Sequence, residues 1–220
     1  TIYPTQREAR RLRQQRRPLH NKVAVLNLAT GQKTEFDKIR RFAFAGDKPQ
    51  WVALYGYGPE TPAPAGGATG GAAQGAGGGG GAAPAARDES ADLLLYSLGG
   101  NATINIGNVG EFGFDDSGSF LAYTIDARDQ IGNGVQLRDL RSDVVKSLDS
   151  DQALYRRLAW IDSGAALTVL RGRADTVAKD TLYSVLAFTG VGSTAQKKVV
   201  FDAAGRTDFP TGMKVSADRA

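Results

Sequence analysis

At 220 residues with 41% hydrophobic content, the chain is long enough for one domain with a buried core and is not a wholly disordered polymer. It contains no cysteine, which excludes a disulfide framework and any thiolate metal site. The net charge of +4 is uneven: residues 1–22 hold seven basic groups against Glu8, a balance of +6, which leaves the remainder mildly acidic at −2. A high isoelectric point therefore describes one end of the chain and not a polyanion-binding body.

The first element expected is a short helix over about residues 5–17. Thr5 and Glu8 have capping-box spacing, Arg16 and Arg17 suit the negative end of a helix dipole, and Pro18 stops further winding. Ala9 and Leu12 are its only apolar residues, too few for a buried face, so residues 1–21 are read as a basic lead-in lying on the surface. Contact of this segment with nucleic acid or anionic lipid is the lesser reading.

From Lys22 the apolar period becomes two, the spacing of half-covered strands. Three stretches read alike: VAVLNLATGQKTEF from Val23, LLLYSLGGNATINI from Leu93 and VQLRDLRSDVVKSL from Val135. Each is two apolar runs around a small polar turn, which is a hairpin. Each is followed by a second pair with a large apolar or aromatic first strand: Phe42 and Phe44 lead to Trp51, Phe112 and Phe114 to Phe120, Leu158 and Trp160 to Leu167. A further copy opens at Leu182. Asp116-Ser117-Gly118 and Asp162-Ser163-Gly164 stand at equivalent turns, where Asp bonds the backbone ahead and Gly takes the left-handed conformation. Recurrence at equivalent points marks these as turns and not as a carboxylate and hydroxyl set for chemistry.

Counting strands gives a half unit at 22–36 and three units at about 40–106, 110–148 and 154–201, each with an inner strand, two middle strands and an outer one. Self-similarity of this period is the mark of sheets stacked radially. The expected fold is all-β: a partial β-propeller of about three and a half four-stranded antiparallel blades over residues 22–220, with a short N-terminal helix. A stack that does not close leaves two apolar end faces and an open strand edge. Residues 59–91 interrupt the first full unit. Ten of the chain's 28 glycines fall between Gly66 and Gly81, among alanines and prolines, so the stretch reads as a flexible loop insertion. Gly75, Gly77 and Gly80 satisfy a dinucleotide-binding spacing only because the tract is nearly all glycine, with neither the preceding strand nor the following helix that such a site requires.

Candidate chemistry is sparse. No Gly-x-Ser-x-Gly elbow occurs, and Asp116-Ser117-Gly118 and Val191-Gly192-Ser193 lack its flanking glycines. The single histidine, His20, reads as a surface or edge residue. Asp126, Asp129 and Asn133 share one loop, yet their spacing lacks the glycine and terminal glutamate of a helix-loop-helix calcium site. With one histidine and no cysteine, a zinc site is not expected. No catalytic, cofactor-binding or metal residue is assigned, no cofactor is expected, and no apolar run has the length of a membrane span. The opening residues show no signal-peptide succession.

The stretches Leu26-Asn-Leu-Ala-Thr-Gly31, Gly110 to Tyr123, Gly132 to Leu140 and Tyr155 to Gly164 together resemble the N-terminal propeller domain of the prolyl oligopeptidase family of serine peptidases, especially its bacterial secreted members. The likeness covers about residues 19–215. It implies a propeller that covers a C-terminal α/β-hydrolase domain of the same polypeptide, which supplies the triad, acts on peptides and is periplasmic or secreted. It implies no catalytic residue here, because no triad motif is present. The paired glutamates that hold a substrate amino terminus in dipeptidyl peptidase relatives have no counterpart either, since Glu35, Glu60, Glu89 and Glu111 stand singly. The expected role is a non-catalytic, substrate-gating lid, inactive alone. The alternative is a propeller that serves as a protein-interaction scaffold with no hydrolase attached.

Overall fold

A computed structural model describes residues 1–15, 17–59, 90–100, 102–161, 165–175, 180–203, 206–210 and 213–217. The Gly-rich stretch, apart from its ends, and the Asp162-Ser163-Gly164 turn lie outside these residues. The one helix, α1 (Gln6–Gln14), opens on the expected capping box: the Glu8 amide donates to Thr5 Oγ1, and the Thr5 amide donates to the Glu8 carboxylate. None of its residues is buried.

The strands follow in sequence order, every pairing antiparallel. A two-stranded hairpin of β1 (Val23–Leu26) and β2 (Lys33–Phe36) comes first. Sheet one is β3 (Ile39–Phe44), β4 (Trp51–Gly56), β5 (Ala91–Ser97) and the first part of β6 (Thr103–Phe114). Sheet two is the second part of β6, then β7 (Phe120–Ile125), β8 (Gly134–Asp139) and β9 (Val145–Ser150). Sheet three is β10 (Leu154–Trp160), β11 (Ala166–Asp175), β12 (Asp180–Thr189) and β13 (Lys197–Phe201).

Three apolar clusters lie between successive layers. The hairpin contributes Val23, Val25 and Phe36 against Ile39, Val52, Leu54 and Tyr96 of sheet one. The opposite face of sheet one gives Ala53, Tyr55, Leu93 and Leu95 to Val109, Leu121 and Tyr123 of sheet two. Sheet two in turn sets Ala122, Val135 and Leu137 against Tyr155, Leu167, Val169, Leu186 and Phe188 of sheet three. Alternation along each strand sends successive residues to opposite faces, so one strand serves two clusters: Leu121 and Tyr123 of β7 face one way and Ala122 the other. Four-stranded antiparallel sheets stacked face to face in chain order have one architecture. The chain is part of a β-propeller.

The join between sheets one and two departs from the expected gap. β6 runs through it: Thr103–Ile106 pair with β5, whereas Val109 pairs with both Ala91 and Ile125. Asn108, at φ 54, turns the chain within the strand instead of in a loop, a conformation that asparagine tolerates better than most residues. Lys38, at φ 56, occupies the same place before β3. At the hairpin turns, Asn27 Oδ1 accepts from the amides of Ala29 and Thr30, and Asp139 Oδ1 accepts from those of Arg141 and Ser142, as their matched positions require. The turn of sheet two needs a correction. Asp115, not Asp116, bonds the backbone ahead, its Oδ1 accepting from the Phe120 amide at 2.6 Å. Asp115 is buried where Asp116 is exposed.

Gly46 and Gly118, both at φ +66, let the turns of sheets one and two touch backbone to backbone. A Cβ on Gly118 would overlap the Ala45 carbonyl. Gly31 has a similar φ of +70 with open space around it. Both glycines relieve left-handed strain of about 1–3 kcal/mol, but only Gly118 also avoids a clash. Gly118→Ala is therefore expected to destabilise the protein more than Gly31→Ala, as measured by urea unfolding of the two variants. Equal losses would contradict the close approach of the two turns.

Candidate functional site

An open groove of about 480 Å³ lies on the rim where the connections between sheets gather. Asp37 and Lys38 come from the link between β2 and β3, Tyr57 from just after β4, Pro59 and Ser90 from the two ends of the Gly-rich stretch, Asn108 from the turn inside β6 and Arg128 from the β7–β8 loop. Both signs of charge are represented, and most of the side chains are exposed. His20 borders the groove, its ring edge-on to Tyr57 at 4.4 Å, and the Asn21 amide donates to Tyr57 Oη at 3.3 Å. The histidine is thus an edge residue that packs beside the groove.

Further along the same rim, two polar clusters hold sheets two and three in place. Glu111 of β6 accepts from the amides of Arg157 (3.1 Å) and Leu158 (2.7 Å) with its two carboxylate oxygens. These amides belong to a bulge in β10, where Arg157 has φ 59 and the register with β11 slips. Beside them Arg156 Nη1 pairs with Asp126 Oδ2 at 2.7 Å, and Trp160 Nε1 donates to the Gly113 carbonyl at 2.9 Å. The second cluster centres on the buried Asp149, which accepts from Tyr155 Oη at 2.7 Å and pairs with Lys198 and Arg171. Arg171 and Arg173 also reach Asp151. Burial, followed by the hydrogen bond to Asp149, pushes the Tyr155 phenol far above its ordinary value. The Arg173 guanidinium holds the Asp151 carboxyl below its usual range.

Among the described residues, those singled out from sequence are each held by local partners. Ser117 Oγ bonds to Asp115 and Ser119 within its turn, and Ser193 Oγ donates to the Gly190 carbonyl. Asp126 is committed to Arg156, Asp129 accepts from the Ile131 amide, and Asn133 is buried between the Ala127 amide and the Ala153 carbonyl. Among the described residues, no three histidine, cysteine or acidic side chains come together as metal ligands, and no helix is long and apolar enough to cross a membrane. Glu111 does stand singly, but as a clamp on the next sheet. Its only sequence signal is a lone glutamate in an otherwise apolar inner strand. The rim carries hydrogen-bond donors and acceptors and charges of both signs.

No family model matches the chain, and no curated protein matches it significantly in sequence. Its backbone is similar to parts of several solved structures. Against the tricorn protease it is 10% identical or less, at 8%, with a TM-score of 0.44 over 77% of this chain and 16% of that one. Against hydrazine synthase of Kuenenia stuttgartiensis the identity is 10% and the TM-score 0.46, over 82% and 48%. Against the β-propeller domain of the Trilobed protease from Pyrococcus furiosus they are 11% and 0.35, over 75% and 54%. The chain thus spans from about a sixth to about half of the length of these proteins.

Two expectations follow. Glu111→Ala leaves two strand amides without their acceptor and is expected to cost about 1–3 kcal/mol in chemical unfolding; no loss would mean that water satisfies the bulge. A phenol whose value is raised by folding contributes stability that is full below its unfolded value of about pH 10 and falls as pH rises beyond it. Tyr155→Phe should therefore flatten the decline of stability above about pH 10. An unchanged alkaline slope would contradict the buried Tyr155–Asp149 bond.

Proposed function

We propose that this chain is the non-catalytic propeller portion of a prolyl oligopeptidase-like serine peptidase, and that it gates access of peptides to an α/β-hydrolase domain elsewhere in the same polypeptide. One observation carries the reading. Three of the four stretches that bear the resemblance coincide with strands of successive sheets: Gly110–Tyr123 includes the inner strand of sheet two and runs into its first middle strand, Gly132–Leu140 includes the next strand, and the described part of Tyr155–Gly164 is the inner strand of sheet three, while Leu26–Gly31 is the turn between β1 and β2.

In this role the sheets form a wall that excludes folded proteins and bulk water from the chemistry, while rim groups meet the short peptides that pass. The groove between Asp37, Lys38, Asn108 and Arg128 supplies both charge signs, which suits the termini and backbone of a peptide. Residues 1–21 are taken as a basic lead-in, residues 22–220 as the propeller portion, and residues 59–91 as a loop insertion within it.

The test uses the whole polypeptide. It should label with a serine-directed fluorophosphonate and cleave short peptide substrates, with no activity attributable to residues 1–220. Failure of the whole polypeptide to label would favour the interaction-scaffold reading instead. Hydrolysis by residues 1–220 alone, abolished by a serine-directed inhibitor, would contradict the assignment.

A further inference from the structure

The first layer is incomplete in a way that identifies what completes it. Phe112 and Phe114 of sheet two pack on the cluster formed with sheet one, Phe112 against the ring of Tyr55, and Leu158 and Trp160 of sheet three pack on the cluster formed with sheet two. Phe42 and Phe44 stand at the matching places in sheet one, since they pair with Leu54 and Val52 as Phe112 and Phe114 pair with Tyr123 and Leu121. Yet Phe42 and Phe44 are 42% and 51% exposed. Leu54 and Val52 beside them are buried, because β1 and β2 cover only part of that face. A full layer would reach over the aromatic pair; a hairpin does not.

The chain itself shows the direction from which the missing part comes. Ile2 forms an antiparallel bridge with Lys22: the Ile2 amide donates to the Lys22 carbonyl at 2.7 Å, and the Lys22 amide donates back at 3.0 Å. Lys22 precedes Val23 as Gly134 precedes Val135, and both valines are buried near the start of second middle strands. Gly134 pairs with Ile125, the last residue of the first middle strand β7. Ile2 therefore stands where a first middle strand ends. Residues 3–21, with α1, then correspond to the link between the two middle strands, the place held in sheet two by residues 126–133 and in sheet one by the Gly-rich stretch.

We propose that the polypeptide on the N-terminal side of Thr1 supplies an inner strand and a first middle strand, which run along the open edge of β1 and cover Phe42 and Phe44. Two strands and a turn need about 15–20 residues. The proposal stands whether or not a hydrolase domain follows. It reassigns Ile2 from the lead-in to the sheet and makes the basic helix a rim loop next to the groove.

The register is set by the bridge. Continued antiparallel pairing places Thr1 opposite Val23 and the second residue before Thr1 opposite Val25. The Ile2–Lys22 pair is the hydrogen-bonded type, so the Val25 pair is the close, non-hydrogen-bonded type, with Cα atoms about 4.5 Å apart, within disulfide reach. In the intact polypeptide, Val25→Cys combined with a cysteine at that upstream position should close a disulfide on mild oxidation, and a cysteine moved by one residue should not. A check without substitutions guards against misfolding: in the unmodified intact polypeptide, the Ala24 and Leu26 amides, which share the open edge with Lys22, should exchange ~100-fold or more slowly than free peptide amides. Exchange of these two amides at loop rates would overturn the proposal. So would protection without a disulfide in the expected register, or protection that rises with protein concentration, because another segment or a second copy would then occupy the edge.

Discussion

Sheets one and two each have two apolar faces, and each of these faces is buried against a neighbouring layer. A solvated antiparallel sheet alternates apolar and polar residues; here adjacent positions such as Leu121, Ala122 and Tyr123 are all buried because each face meets a different neighbour. Burial at roughly 25 cal/mol per Å² of apolar surface drives the stacking, and the strand order inside each sheet follows from the hairpins. Specific contacts then fix how the layers sit. Tyr55 Oη reaches from sheet one to the Val109 carbonyl, and Glu111 and Trp160 tie sheet two to sheet three. The exposed Phe42 and Phe44 mark a place where the rule is broken, and the break locates what is missing.

The layer plan was legible in the sequence because strand alternation and turn chemistry are local. Val23–Phe36, Leu93–Ile106 and Val135–Leu148 announce hairpins, and Asn27 and Asp139 hold them by short-range bonds to the backbone ahead. The apolar shift at Asp139 was legible too: Leu137 joins the cluster with sheet three and Leu140 the cluster with sheet one. What escaped depends on distance. Asp115 and Asp116 are adjacent carboxylates, and only the fold decides which one turns inward. Passage of β6 from one sheet into the next rests on a single left-handed asparagine, for which the sequence offers no sign beyond Gly107-Asn108. Glu111 and Asp149 find partners 46 and 49 residues away, in Arg157 and Lys198, so neither clamp has a short-range signature.

The candidate site was legible only by what it lacks. Composition removed thiol chemistry and left one histidine, and the structure sets that histidine against Tyr57 as a packing group. The groove itself draws on four connections far apart in sequence and carries no motif.

The fold rests on neighbouring sheets burying one another's faces, and the most direct test is the contact of Tyr55 in sheet one with Phe112 in sheet two, whose ring centroids lie 5.6 Å apart with Arg41 over both rings. A double-mutant cycle with Tyr55→Leu and Phe112→Leu, read by chemical unfolding, is expected to give a coupling of about 0.5–1.5 kcal/mol, as for other aromatic pairs. Strict additivity of the two losses would show that the sheets do not face each other there and would contradict the stacked arrangement.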